Sequence, residues 1–118
     1  MKMTFDDTGA VGVLLVEEAR IDASVAIAFK DRFRDLTEPG KGHVVLDLSR
    51  VEFLDSSGLG AVVAARKLLG AGRQLELAGL TPAVDKVMTL TRMALVFPIH
   101  SDVAAALASH AGPARAPA

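Results

Sequence analysis

Two adjacent hydroxyls, Ser56 and Ser57, follow the carboxylate of Asp55 and precede Gly58 in the stretch Phe53-Leu-Asp-Ser-Ser-Gly-Leu-Gly60. The stretch lies between the apolar runs His43-Val-Val-Leu-Asp-Leu48 and Ala61-Val-Val-Ala-Ala-Arg-Lys-Leu-Leu69, so it reads as a strand-to-helix junction. A helix start leaves about four backbone N–H groups without partners. A serine placed there has two uses. It can accept one of those N–H groups as a cap, with Gly58 leaving the backbone free to turn. Alternatively it can carry a phosphate, which brings roughly −1.5 to −2 charge and three acceptor oxygens. The orphan N–H groups and the helix dipole would partly accommodate that charge, and Asp55 would oppose it. Such a modification changes the surface potential and needs no change of fold. The local pattern leaves both uses open.

Other chemistries find little support. The pattern Gly-x4-Gly-Lys-Ser/Thr is absent, and Gly58-Leu-Gly60 is too short for a phosphate-cradling loop. His43, His100 and His110 are far apart in sequence with no carboxylate at ligand spacing, so no metal site is expected. Asp47 and Asp55 fit the end of a strand and a turn better than a catalytic pair, and no general base adjoins Ser56. These residues predict no catalytic site, no cofactor and no enzyme activity. The chain of 118 residues suits one domain, and an apolar fraction of 51% argues against disorder for most of it. No run reaches the ~18 apolar residues of a membrane span. The polar start Met-Lys-Met-Thr-Phe-Asp-Asp lacks a signal-peptide core, and cysteine is absent, so a cytoplasmic location is expected. A net charge of −1 with scattered basic residues offers no footprint for nucleic acid.

The elements that must position the junction follow from periodicity. Residues 3–6 and 11–16 read as strands joined by a turn over 7–10. A helix is expected from residue 24, with Val25, Ile27, Ala28, Phe29, Phe33 and Leu36 as its apolar stripe and Asp22 or Ser24 as its cap. Residues 38–42, Glu-Pro-Gly-Lys-Gly, break it. Residues 44–48 read as a central strand covered on both faces. A helix over about 57–69 ends at Gly70-Ala-Gly72. Residues 74–80 alternate as an internal strand with one wetter face would. Thr81-Pro82 then opens a helix carrying Val84, Val87, Met88 and Leu90. Residues 95–99 suggest a short edge strand, since Pro98 cannot donate to a ladder. Residues 102–110 form a last helix, and 111–118 a small disordered tail. Strands alternating with helices predict a single α/β domain over 1–110, a mixed central sheet flanked by about four helices.

The segment Val45-Leu-Asp-Leu-Ser-Arg-Val-Glu-Phe-Leu-Asp-Ser-Ser-Gly-Leu-Gly60 resembles the central strand, turn and phosphorylation loop of STAS-domain bacterial anti-sigma factor antagonists. The likeness extends to Arg20-Ile-Asp22, before the first helix, and to Leu75-Glu-Leu-Ala-Gly-Leu-Thr-Pro-Ala-Val84, covering about residues 5–108. Where the family commonly has a glycine two residues before the Leu/Ile-Asp pair, this chain has Ala19. The resemblance implies that Ser56, the hydroxyl residue directly after the aspartate, is the phosphorylated serine. It also implies a partner-facing surface made of Asp22, Asp55, Ser56, Ser57, Gly58 and Leu59. In such proteins the unphosphorylated antagonist binds an anti-sigma factor that is also its serine-protein kinase, and so releases the sigma factor. Phosphorylation ends that binding, and a metal-dependent phosphatase of the PP2C type restores it. ATP and metal then belong to the partners. The expected oligomeric state is a monomer or weak dimer. A structural STAS subunit of a phospholipid-transport ABC complex is the alternative, with the same helix face docked permanently. A small-ligand sensor finds no pocket signature in a chain lacking tyrosine and tryptophan.

Overall fold

The computed structural model describes residues 1–111. Strands β1 (Met3–Asp6) and β2 (Gly12–Val16) form an antiparallel hairpin, followed by the two-residue strand β3 (Arg20–Ile21) and helix α1 (Ala26–Thr37). Next come β4 (Val44–Asp47), the short β5 (Phe53–Leu54), α2 (Ser56–Leu69) and β6 (Leu75–Ala78). Helix α3 (Pro82–Leu90), a single 3-10 turn at Met93–Leu95, β7 (Ile99–His100) and α4 (Val103–Ala111) complete the described chain. The main sheet has the order β1-β2-β4-β6-β7, with β1 antiparallel and the remaining neighbours parallel. The expected α/β domain, a mixed sheet with four helices, is the fold observed. The tail expected over 111–118 lies outside the described residues from 112 onward, and Ala111 is the last residue of α4.

Strand alternation sorts the core into two layers. Val44, Leu46, Leu75 and Leu77 join Phe29, Phe33, Ala61, Val62, Ala65, Val84 and Met88 in the larger cluster, under α1, α2 and α3. Val45 and Ala78 point the other way and meet Ala106 of α4. Helices therefore cover both faces. The near-continuous apolar content of β4 is what a strand buried on both sides requires.

Four expectations change. Residues 74–80 have no wet face, because all of Leu75–Ala78 is buried, the charged Glu76 included. Residues 95–99 are not one strand. Leu95 closes the 3-10 turn, Phe97 is buried, and pairing begins only at Ile99. Pro98 still contributes its carbonyl, which accepts from the Leu77 N–H at 2.9 Å. Ile27 lies outside the stripe of α1 at 70% exposure, while Phe29 and Phe33 carry the packing. Neither Asp22 nor Ser24 caps α1, since they bond to each other and Val25 occupies the N-cap position without a side-chain bond. Thr81 does occupy the N-cap of α3, but its hydroxyl donates to the Val51 carbonyl at 2.6 Å.

Candidate functional site

The short parallel ladder of β3 and β5 brings the two expected recognition segments together. Arg20 pairs with Phe53 and Ile21 with Leu54, so the turn before α1 lies beside the start of α2. The Ala19 carbonyl accepts from both Glu52 N–H at 2.7 Å and Phe53 N–H at 3.1 Å. Ala19 does this without positive φ, so the turn has no need of glycine's conformational freedom at this position.

Asp55, not either serine, is the N-cap of α2. One carboxylate oxygen accepts the Gly58 N–H at 2.8 Å, and the Asp55 carbonyl accepts the Leu59 N–H at 2.8 Å. Aspartate and serine cap about equally well. The choice falls to Asp55 because β5 ends at Leu54 and the chain is extended at the next residue, with φ −95° and ψ −174°. The second oxygen of Asp55 accepts the Ala23 N–H at 3.3 Å. One side chain thus fastens the first turn of α2 to the turn before α1.

With Asp55 as the cap, both serines are free of that task. Ser56 and Ser57 are exposed in the first turn, and their hydroxyls have no protein partner among the described residues. Their own N–H groups belong to the set that a helix start leaves unpaired. Gly58 is buried, and a Cβ added to it would lie 1.9 Å from the Ile21 carbonyl oxygen. Only glycine permits α2 to approach β3 this closely. Leu59, expected on the partner-facing surface, is half-buried against the main core and so is exposed there only in part.

Asp22 shapes the rim. Its carboxylate accepts from the Ser24 hydroxyl at 2.6 Å and the Ser24 N–H at 3.0 Å, and it pairs with the Arg20 guanidinium at 3.3 Å. The Ser24 hydroxyl chiefly holds this carboxyl below the ordinary aspartate range; burial opposes it, and Arg20 and the Ser24 N–H add smaller lowering effects. Arg20 also lies over the Phe53 ring, 4.1 Å from its centroid. Asp22, Asp55, Ser56, Ser57 and Gly58 therefore gather at one end of the domain. The roles of Arg20, Ala23 and Phe53 are not legible in the sequence, because they depend on a ladder too short for periodicity.

The histidines make a second grouping. His100 Nε2 and His110 Nε2 each lie 2.7 Å from a different oxygen of buried Glu76. Sequence spacing puts no carboxylate beside them, but strand pairing and α4 bring Glu76 to them from 24 and 34 residues away. Among the described residues no group of three or more His, Cys, Asp or Glu is arranged to hold a metal ion.

The domain is thus an α/β fold that presents an exposed serine pair at a helix start. The STAS-domain family model matches residues 3–106, and the chain belongs to that family. Within it, an anti-sigma F factor antagonist of Paenibacillus polymyxa is 30% identical over 66 residues, 55% of this chain and 56% of that relative. The match thus spans little more than half the length of that curated relative. An anti-sigma factor antagonist structure from Mycobacterium paratuberculosis superposes with a TM-score of 0.81 at 28% identity, covering 92% of each chain. The Bacillus cell fate determinant SpoIIAA, in its phosphorylated form, superposes with a TM-score of 0.63 at 18% identity, covering 90% of this chain and 96% of that one. The last likeness concerns the fold alone. No helix among the described residues is long and apolar enough to cross a membrane.

Proposed function

We propose that this chain is an anti-sigma factor antagonist working by partner switching, with Ser56 as the phosphorylated residue. The observation that carries the proposal is the division of labour at α2: Asp55 does the capping, so the Ser56 hydroxyl is free and exposed at a helix start. The antagonist relatives support the same reading. In it, unmodified Ser56, Ser57, Asp22, Asp55 and Leu59 face an anti-sigma factor that is also a serine-protein kinase. Attack of the Ser56 oxygen on the γ-phosphorus of ATP, with loss of the hydroxyl proton, cleavage of the bond to the β,γ-bridging oxygen and departure of ADP, places a dianion at the centre of that contact. A metal-dependent phosphatase reverses it. This chain acts as substrate and ligand, not as an enzyme.

The magnitude suits a switch. At 4 Å, like charges repel by about 1 kcal/mol in water and about 4 kcal/mol at an effective dielectric of 20. The Asp55 carboxylate and a desolvated partner surface both act against the phosphate, and a loss of about 4 kcal/mol weakens binding roughly a thousandfold. The free N–H groups at the start of α2 meanwhile let the domain itself tolerate the phosphate.

The test is intact mass after incubation with the host's candidate serine kinases and ATP, beside binding to the cognate anti-sigma factor. Wild type should gain one phosphate and lose binding; Ser56→Ala should gain none and still bind. Phosphate on Ser56→Ala at the normal rate would refute the site. Binding to neither kinase nor anti-sigma factor, with stable co-purification in a transport complex, would favour the constitutive subunit.

A further inference from the structure

We infer that Arg20, stacked on Phe53 at the edge of the serine surface, is the anchor for a carboxylate of the protein partner. This contact rests on the proposed partner switch and names one residue pair within it. The ladder of β3 and β5 sets Arg20 opposite Phe53, and the guanidinium carbon lies 4.1 Å from the ring centroid. The ring supports one face of the guanidinium and attracts its charge. Asp22 fixes a second point, because its Oδ2 accepts from Arg20 Nε at 3.3 Å. A fully paired arginine would offer both arms of its fork to one carboxylate. Here the other oxygen of Asp22 is committed to the Ser24 hydroxyl at 2.6 Å and the Ser24 N–H at 3.0 Å. Nε therefore makes the guanidinium's one hydrogen bond among the described residues, and neither Nη donates to protein. The group is held in plane and in direction while its terminal fork stays open. The Arg20 side chain is 59% exposed, and the Phe53 beneath it is exposed as well.

Arg20 also steadies the turn before α1 through Asp22, but an exposed ion pair of this kind contributes little. That role leaves the open fork and the exposed aromatic ring without a use. Arginine and aromatic side chains are the types that concentrate binding energy in protein contacts. Their place in the fold suits such a contact. Phe53 precedes Asp55 by two residues and Ser56 by three, and the first turn of α1 exposes Ile27 beyond the Asp22 turn. Residues 19–25 and 52–59 build this end of the domain, and Arg20 is their one Lys or Arg, beside the carboxylates of Asp22, Glu52 and Asp55. A lone cation in an acidic surface selects its partner and sets the register of docking. A carboxylate opposite Arg20 completes the fork with two parallel N–H···O bonds. A neutral or basic group there would leave the guanidinium desolvated with no acceptor, which rejects that partner.

Surface plasmon resonance against the anti-sigma factor that binds the unmodified wild type tests the contact. Arg20→Gln should bind at least about tenfold more weakly, and Arg20→Glu at least about a hundredfold. Arg20→Lys, which keeps the charge and loses the fork, should fall between wild type and Arg20→Gln. Arg66→Gln removes an exposed cation from the last turn of α2 and should bind as wild type does. All four variants should keep the wild-type melting temperature, since both arginines are exposed. Compensation is the readout that a merely structural role would not move. When acidic residues of the anti-sigma factor are reversed to arginine one at a time, one reversal should restore binding to Arg20→Glu and weaken binding to wild type. Wild-type affinity in Arg20→Gln, or no compensating reversal, would overturn this contact and leave the partner switch standing. An unmodified wild type that binds no anti-sigma factor would overturn the partner switch and this contact with it.

Discussion

Two glycines on the same helix, Gly58 and Gly60, should respond to alanine with opposite signs. Alanine is favoured over glycine in a helix interior by about 1 kcal/mol, a gain open in principle to both positions. At Gly60 nothing lies within 4 Å of the added Cβ, so the gain is realised, about 0.5–1 kcal/mol. At Gly58 the Cβ would meet the Ile21 oxygen at 1.9 Å, the Ile21 carbonyl carbon at 2.8 Å and Leu54 Cδ1 at 2.9 Å. The leucine tip can rotate away. The backbone carbonyl cannot, because reaching even 3.0 Å requires a movement of 1.1 Å (3.0 minus 1.9). That movement strains the β3–β5 ladder and the Ala23–Asp55 bond, which both hold the same turn. Overpacking costs about 1–3 kcal/mol and occasionally more, so the net loss should be about 2 kcal/mol. Urea unfolding of wild type, Gly58→Ala and Gly60→Ala, monitored by circular dichroism, measures both. A Gly58→Ala protein as stable as Gly60→Ala would show that α2 does not rest on β3 as described, and the account of the site would fall with it.

The remaining predictions test other contacts. Asp55→Ala should lose about 1–2 kcal/mol through the cap and speed exchange of the Ala23 amide, whereas Asp55→Asn should cost less in the same unfolding assay. His110→Ala removes one of the two imidazoles on Glu76 and should cost about 1.5–3 kcal/mol. Its amide-exchange map should show loosening in α4 and none in α2, and equal loosening in both would contradict the assigned role. The Asp22 carboxyl, held low first by Ser24 and then by Arg20, should titrate by NMR at a midpoint below the usual aspartate value of 3.8. Because its folded value is depressed, whatever it contributes to the turn is present above that usual value and lost as pH falls through the lowered one. Ser24→Ala should move the midpoint upward.

The alternation of strands and helices, the start of α2 after Leu54 and the helix opened by Thr81-Pro82 were all legible, because each is written in a local pattern. Fold and family followed from those patterns and from the segment around Asp55-Ser-Ser-Gly. What escaped was set by contacts across the chain. Ser56, Ser57 and Asp55 are equivalent as caps on paper, and only the end of β5 decides between them. Strands β3 and β5 are two residues each, too short to show a period, although they bring Asp22 to the serine loop. Glu76 looked like the wet position of an alternating strand. Its partners lie on β7 and α4, beyond the reach of any local window.

The double use of Asp55 has a consequence for association. One carboxylate bonds the start of α2 and the turn before α1 together, so both segments are ordered before any partner arrives. A binder meeting this surface does not spend interaction energy on freezing loops, a cost of about 0.5–1.5 kcal/mol for each side chain immobilised. Encounter is then governed by diffusion and orientation, which vary little among related complexes, and the lifetime of the bound state carries the differences in affinity. In the proposed switch, chemistry at the Ser56 hydroxyl of such a prefrozen surface would change how long two proteins stay together much more than how fast they meet.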